Sequence, residues 1–198
     1  MFRLLFIILF LNSLLFCEDQ KLPSSFLKDL DGKKINITEL NNTVMAISFW
    51  FLACEPCKKE MKYLDMFNSK YGKYGFKVVS INTDNSRTLN RVKPYIKSKK
   101  YSFQVLSDPK SLFFRKLGGQ QCPYLVLVDE DGSIINKHIG YSPGDEINLE
   151  KEIVHLISDA IKSDSTLTDS SIIKLISSNV LENSQIDDEK SIQKLEIE

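Results

Sequence analysis

Residues 44–61 read "VMAISFWFLACEPCKKEM" and bring together an apolar run, two cysteines three positions apart and the start of a charged, periodic segment. The run from Val44 to Leu52 is continuous, β-branched and aromatic, which is typical of a strand buried on both faces. Apolar residues then recur at spacings of three and four, which predicts an amphipathic helix from about Pro56. Its apolar positions are Cys57, Met61, Leu64, Phe67 and Tyr71. The two cysteines therefore lie where a buried strand ends and a helix begins.

The segments that follow continue the alternation of strand and helix. The first helix is expected to end near Gly72 to Gly75, and residues 86–100 predict a second helix that Pro94 interrupts. The other predicted elements are strands "FKVVSIN" (76–82) and "SFQVLS" (102–107), a short helix at 111–119, two strands joined at Asp131-Gly132 within 124–140, and a last helix at 147–162. This order, β-α-β-α-β-β-α, indicates an α/β fold with a mixed central sheet flanked by helices.

A further pair of strands is expected before the apolar run. Residues 25–40, "SFLKDLDGKKINITEL", alternate apolar and polar side chains on both sides of Asp31-Gly32, a turn signal that predicts an N-terminal β-hairpin. The predicted domain spans residues 24–162, and residues 18–23 are expected to form a linker before it.

The composition is that of an ordinary globular chain, with 42% hydrophobic and 26% charged residues among 198. Residues 18–162 contain 22 Lys and Arg against 18 Asp and Glu, whereas residues 163–198 contain 3 against 8. Neither excess is large enough to favour a nucleic-acid partner.

The first seventeen residues, "MFRLLFIILFLNSLLFC", have the length and polarity of a secretory signal and are shorter than the roughly 20 residues of a membrane span. Leu14 to Cys17 resembles a lipoprotein processing site, although Phe16 stands where a small residue is expected. Lipidation at Cys17, cleavage nearby and an uncleaved anchor are three open alternatives. Each predicts a periplasmic or otherwise extracytoplasmic domain, with membrane attachment in two of them, and disulfides persist in such compartments.

Residues 163–198 contain eight serines and no aromatic residue, glycine or proline, which predicts a polar, flexible C-terminal extension. Within it, an apolar stripe from Ile172 to Leu181 is compatible with a helix that docks on the domain or on a partner, or with a marginal helix that has no role.

The position of the two cysteines at a predicted helix N-terminus favours redox chemistry. The first helical N–H groups have no partner within the helix, and the helix dipole places partial positive charge there, so a thiolate is stabilised. We expect Cys54 to lie at the exposed tip and attack an incoming disulfide, and Cys57 to resolve the mixed disulfide. Pro56 suits the first turn because its missing N–H is not needed there.

Four stretches, in this order and spacing, resemble the TlpA/ResA-like branch of the thioredoxin superfamily, which is related to the AhpC/TSA family: "FWFLACEPCKKE", "VVSINTD", "CPYLVLVDEDGSI" and "HIGYSPGDE". The resemblance covers residues 24–162. It implies a thioredoxin fold, an extracytoplasmic location and thiol-disulfide exchange, commonly the reduction of partner-protein cysteines, including those of apocytochromes in cytochrome c maturation. It further implies that protein thiols or disulfides are the substrates and that a membrane or periplasmic donor supplies the electrons.

Individual residues match the pattern of that branch. Cys54 and Cys57 match the redox pair, and Glu55 and Pro56 match the dipeptide between them. Glu60 matches a carboxylate kept close to the sulfurs. Pro123 matches the cis-proline that faces the pair, where the neighbouring backbone pairs with a substrate strand.

Two positions depart from the thioredoxin pattern. Ala53 stands where tryptophan usually precedes the first cysteine, and Ser48 replaces the buried acid of thioredoxin, so Glu60 becomes the candidate general acid or base. The carboxylates of Glu55 and Glu60 are expected to raise the thiol pKa and to disfavour the ionised, reduced form. The sequence therefore predicts a reductant.

Cys122, next to Pro123, is expected near Cys54 and has two open interpretations. It is either a small hydrophobic residue, or a third thiol that forms an alternative disulfide or completes a three-thiolate metal site. We assign it, with Glu55, Pro56 and Pro123, to the predicted substrate-binding region.

Two other functions remain as alternatives. A copper or zinc carrier would use Cys54, Cys57 and Cys122, and a peroxiredoxin-like peroxidase would need a cysteine activated toward peroxide. His138 and His155 have the pattern of structural or surface histidines, and no cofactor or metal is expected.

Overall fold

The computed structural model describes residues 20–163. A seven-stranded mixed sheet forms the centre of the domain, with strands in the order β2-β1-β5-β4-β3-β6-β7. The strands are β1 (Phe26–Asp29), β2 (Lys34–Asn36), β3 (Val44–Trp50), β4 (Phe76–Asn82), β5 (Gln104–Ser107), β6 (Tyr124–Val128) and β7 (Ile134–Ile139). The helices are α1 (Glu55–Tyr71), α2 (Val92–Lys99), α3 (Leu112–Lys116) and α4 (Asp145–Ser163). The mixed sheet, the flanking helices and the N-terminal hairpin are as predicted.

β3 lies inside the sheet and is buried at every position. It pairs in parallel with β4 and antiparallel with β6, so its side chains meet two separate apolar layers. One layer contains apolar residues of α1, α2 and α4, and the other contains those of α3 and of the turn at Ile37. The apolar run that opens at Val44 is continuous because neither face of this strand reaches water.

The register of the strands defines one end of the sheet as the place where β3 ends. Phe49 of β3 lies opposite Tyr124 of β6, and Tyr124 lies opposite Ile139 of β7. We call the end of the sheet marked by Trp50, Tyr124 and Ile139 the disulfide end, because Cys54 and Cys57 follow β3 there.

One helix prediction needs correction. Pro94 does not interrupt a helix, because α2 begins at Val92 and Pro94 lies in its first turn, after a 3-10 turn at Leu89–Arg91. The N–H groups of a first turn have no partner within the helix, so proline removes no hydrogen bond there.

Residues 18–23 were expected to form a linker, but their described part is attached to the sheet. Lys21 forms an antiparallel bridge with Ser133, and Leu22 is buried. The backbone N–H of Leu22 donates to the carbonyl of Gly132, and that of Ile134 donates to the carbonyl of Gln20. These hydrogen bonds make residues 20–22 part of the fold.

Among the helices of residues 20–163, none has both the length and the hydrophobicity needed to cross a membrane. The predicted signal at residues 1–17 and the predicted extension, apart from Ser163, lie outside the described residues.

Candidate active site

Cys54 and Cys57 are joined in a disulfide at the start of α1. Cys54 is the residue that caps the helix, and its Sγ accepts a hydrogen bond from the backbone N–H of Cys57 at 3.2 Å. Pro56 lies in the first turn, as expected. The geometry supplies what thiolate stabilisation requires, namely a sulfur atom directed at an unpaired helical N–H group.

Cys54 is more accessible than Cys57, as predicted, but it is much less exposed than predicted. Cys57 is fully buried, whereas Cys54 is 5% exposed rather than lying at an open tip. Both residues belong to the apolar layer that contains the buried side of α1. Ala53 and Glu55, on either side of Cys54, are exposed, so an approaching sulfur reaches Cys54 first.

Asp84 fixes the loop that carries the pair, and sequence reasoning missed it. Its carboxylate accepts hydrogen bonds from the backbone N–H of Leu52 at 2.7 Å, from Asn82 at 2.9 Å and from the Thr88 hydroxyl at 2.7 Å. Asp84 is almost fully buried, so these bonds satisfy a charge that would otherwise be costly. The available signal was a cluster of polar residues at the carboxyl end of a buried strand next to β3.

Glu60 lies one helical turn after Cys57 on the buried side of α1 and is only 3% exposed. Its Oε2 accepts a hydrogen bond from the hydroxyl of Ser48 on β3 at 3.0 Å. Burial raises the pKa of the Glu60 carboxyl to about 7, the bond from Ser48 opposes this shift, and the charge of Asp145 adds to it. Glu60 can therefore accept or release a proton near neutral pH.

Glu60 also borders a polar cleft of about 400 Å³ between the end of β7 and the start of α4. Two hydrogen-bonded pairs line it, Tyr141 with Glu146 at 2.7 Å and His138 with Glu152 at 3.0 Å. His138 thus has a carboxylate partner, and so does His155, whose Nδ1 lies 2.8 Å from Asp159. Both histidines have the structural or surface contacts that the sequence predicted.

Glu55 is exposed and forms an ion pair with Lys58 at 2.6 Å. The hydrogen bond and the charge of Lys58 lower the pKa of Glu55, so its carboxylate is ionised but partly neutralised by the lysine. The expectation that Glu55 and Glu60 both act as negative charges near the sulfurs therefore changes. At neutral pH Glu60 carries only part of a charge, and Glu55 shares its charge with Lys58.

The loop before β6 carries the predicted cis-proline. The Cys122–Pro123 peptide bond is cis, as expected from the resemblance. Cys122 is a free thiol that packs against both apolar layers. Burial raises the pKa of this thiol to about 11. A hydrogen bond with Thr83 opposes the shift, and the charge of Glu60 adds to it. Thr83 also bonds the carbonyl of Trp50 through its N–H at 2.8 Å, so it links this loop to the end of β3.

A metal site has little geometric support. Within residues 20–163, no group of three or more His, Cys, Asp or Glu side chains is arranged so that it could hold a metal ion. Cys54 and Cys57 are bonded to each other, and a thiol such as Cys122, with its raised pKa, is a poor source of the thiolate that soft metals require.

Comparison with known sequences points to the same chemistry. The family model described as Redoxin matches residues 18–153. The thiol-disulfide oxidoreductase ResA of Bacillus cereus is 30% identical over 118 residues, which represent 60% of this chain and 67% of the relative.

Solved structures share the fold. A protein of Chlorobium tepidum, assigned as the thiol:disulfide interchange protein DsbE, is 26% identical, with a TM-score of 0.66 over 70% of this chain and 96% of the other. A thioredoxin-like protein of Porphyromonas gingivalis is 28% identical, with a TM-score of 0.62 over 70% of this chain and 92% of the other. These similarities confirm the predicted thioredoxin fold.

Proposed function

The chain belongs to the Redoxin family and is a thiol-disulfide oxidoreductase of the TlpA/ResA-like type, and from this premise we propose that it reduces disulfide bonds of partner proteins outside the cytoplasm. The observation that carries the proposal is the Cys54–Cys57 disulfide at the start of α1, with the buried carboxyl of Glu60 one turn further along the same helix.

The proposed reaction begins with both cysteines reduced. The Cys54 thiolate attacks one sulfur of the substrate disulfide, so that a Cys54–substrate bond forms, the substrate S–S bond breaks and the other substrate sulfur leaves as a thiolate. Cys57 then attacks the Cys54 sulfur and releases the second substrate thiolate. Two electrons have passed to the substrate, and Cys54 and Cys57 are left as the disulfide. A dithiol donor restores the reduced pair by the reverse sequence.

Glu60 is the proposed proton carrier for this exchange. Cys57 must lose a proton before it can attack, and residues three apart on a helix lie side by side. A carboxylate with a pKa of about 7 takes that proton at neutral pH and returns it to a leaving substrate thiolate. Ser48, in the place of a buried acid, holds Glu60 through its hydroxyl rather than titrating itself.

The direction of electron flow follows from charge. The ionised form of Glu60 opposes negative charge on either sulfur, and Glu55 adds less because its carboxylate is paired with Lys58. When the ionised, reduced form of a cysteine pair is not stabilised, the equilibrium favours the disulfide. Such a pair gives its electrons to a substrate and acts as a reductant. The partial positive charge at the helix N-terminus acts in the opposite sense, because it stabilises a thiolate. The pair is a reductant when the carboxylates destabilise the thiolate by more than the helix N-terminus stabilises it.

The proposed location is the periplasm or another extracytoplasmic space, with attachment through the N-terminal segment, either as an uncleaved apolar anchor or as a lipid on Cys17. It rests on the apolar signal pattern of residues 1–17 and on their predicted processing near Cys17. Partner-protein disulfides, such as those of apocytochromes in cytochrome c maturation, are the proposed substrates, and a membrane or periplasmic dithiol is the proposed donor.

Reduction of insulin disulfides tests the activity. We expect turnover with a dithiol reductant, complete loss in Cys54→Ser, and accumulation of mixed disulfides in Cys57→Ser, because the first attack no longer has a resolving thiol. Cys122→Ser is the matched control and should retain turnover. Equal turnover in wild type and Cys54→Ser would reject the proposal.

A further inference from the structure

The chain enters the fold along the edge of the sheet, and its direction there is defined by hydrogen bonds. Leu22 donates to the Gly132 carbonyl and Ile134 donates to the Gln20 carbonyl, each at 2.7 Å. The segment is thus antiparallel to β7, and the side chain of Lys137 donates to Gln20 Oε1 at 2.8 Å. β7 runs toward the disulfide end. Because the entering segment is antiparallel to β7, Gln20 lies nearer to the disulfide end than Leu22 does.

The distance from this point to the proposed attachment is short. Three residue steps separate Cys17 from Gln20, and a fully extended chain covers at most about 11 Å in three steps. Gln20 lies level with Ile134, and the strand from Ile134 to Ile139 rises roughly 17 Å. An anchor at Cys17 therefore cannot lie far from the edge of β7.

The same edge carries exposed apolar side chains. Ile135 is 50% exposed and Ile139 is 61% exposed, and Ile139 lies at the disulfide end. The two isoleucines lie on either side of Lys137 on β7, and exposed apolar side chains grouped on one edge strand indicate a surface that is covered in use. Phe51, in the loop before Cys54, is a third exposed apolar residue at that end of the sheet.

We propose that the β7 edge and the disulfide end lie against the membrane to which the N-terminal segment attaches, with Ile135 and Ile139 in contact with the lipid surface. This inference rests on the proposed attachment through the N-terminus. Its consequence is that the loop carrying Cys54 lies close to the membrane surface.

The position of the other described terminus agrees with this orientation. Ser163 donates a hydrogen bond to Glu130 at 3.0 Å, next to the Asp131-Gly132 turn that joins β6 to β7. That turn lies at the end of the sheet opposite the disulfide end. Ser163 therefore lies at the end of the sheet directed away from the membrane.

The test is photo-crosslinking of the full-length chain in membranes. Benzoylphenylalanine replaces Ile139 in one variant and Met66 in the other. Met66 is the control because its side chain is also exposed, at 49% against 61%, but lies eleven residues along α1, roughly 16 Å from the disulfide end. We expect lipid adducts at position 139 in at least fivefold excess over position 66, and loss of that excess when about twelve Gly and Ser residues are inserted after Asp19, since such a spacer reaches roughly 20 Å.

Equal labelling at the two positions, excess labelling at position 66, or no lipid adduct in membrane-bound protein would overturn the proposed orientation. Recovery of the chain in the soluble fraction would overturn it as well. Insulin reduction is measured on the same preparations, so an active protein with the wrong labelling pattern separates failure of the orientation from failure of the proposed function.

Discussion

The reactivity of the cysteine pair depends on single residues, and most directly on the protonation of Glu60. Its carboxyl is buried and hydrogen-bonded by Ser48, and burial raises its pKa to about 7. A group with this pKa changes protonation within the pH range in which a thiol-disulfide oxidoreductase works.

We expect Glu60→Gln to slow the reduction of a disulfide substrate by about 100-fold at pH 8, since general bases typically contribute 10²–10⁴ in rate. Below about pH 6 the wild-type carboxyl is itself protonated, so the two rates should converge. Stopped-flow kinetics from pH 5 to 9 measure this. Ser48→Ala is the companion variant, and it should move the wild-type inflection upward because the Ser48 hydrogen bond lowers the pKa of Glu60. Identical profiles in wild type and Glu60→Gln would contradict the assigned role.

The same carboxyl predicts how stability depends on pH. Between about pH 4.5 and 7, folded Glu60 keeps a proton that the unfolded chain has lost, so the free energy of unfolding falls as pH rises through this window. The shift corresponds to about 3 kcal/mol. Denaturant titrations of the oxidised protein at pH 4.5 and 8 should show a larger loss in wild type than in Glu60→Gln. A larger loss in the variant would be inconsistent with a raised pKa.

Cys122 is expected to be chemically quiet, because burial raises its pKa to about 11 and the thiol stays protonated at neutral pH. Cys122→Ser should keep the Cys54–Cys57 disulfide and change the insulin-reduction rate by about twofold or less. Mass spectrometry of alkylated wild type at pH 8 should show slow labelling of Cys122. A disulfide from Cys122 to either active-site cysteine would restore the third-thiol interpretation.

Among single residues, the sequence was sufficient to identify those that belong to a motif with fixed spacing. The pair of Cys54 and Cys57 is visible in the chain itself as a Cys-X-X-Cys motif, whereas the cis bond before Pro123 was expected from the resemblance to a known branch. The low exposure of Cys54 was not foreseen, because the accessibility of a side chain depends on neighbours distant in sequence. The pairing of Glu55 with Lys58 was missed although both lie in the first turn of α1.

At the level of elements, the loop between β3 and α1 is held by contacts from the loop that follows β4. Asp84 accepts three hydrogen bonds, one of them from the backbone of Leu52, two residues before Cys54. Loops that carry reactive residues need such support, because a small displacement of a reacting atom is costly.

We predict that Asp84→Ala lowers the free energy of unfolding by about 3 kcal/mol, because it leaves buried donors on Leu52 and Asn82 without an acceptor. Asp84→Asn, which keeps one carbonyl oxygen, should cost less and is the matched control. Urea denaturation of the oxidised proteins measures the difference. A cost for Asp84→Ala within about 0.5 kcal/mol of wild type would show that the loop does not need this anchor.

Helices and strands were predictable where the apolar periodicity is strong. They were less predictable where backbone hydrogen bonds determine where an element begins. The apolar run of β3 and the spacing of three and four in α1 have a single reasonable interpretation. Pro94 was read as a break because its place relative to the helix start was unknown, and residues 20–22 were read as a linker because their hydrogen bonds go to Gly132 and Ile134, more than a hundred positions away.

At the scale of the whole molecule, the fold gathers the redox pair, the cis-proline loop and Glu60 at the disulfide end of one mixed sheet. The sequence predicted this fold through the resemblance to a known branch, and the structural similarities support the fold. What local pattern could not supply is the direction in which the chain enters along β7, because that direction depends on pairing between segments far apart in the sequence.

The central claim is that Cys54 and Cys57 form a reducing pair. The most direct measurement is their reduction potential, obtained by equilibration with a dithiol buffer of known potential, alkylation of the free thiols and mass spectrometry of the Cys54–Cys57 peptide. We predict a value near that of thioredoxin, about −270 mV, and a value near that of the strong oxidant DsbA, about −120 mV, would contradict the account.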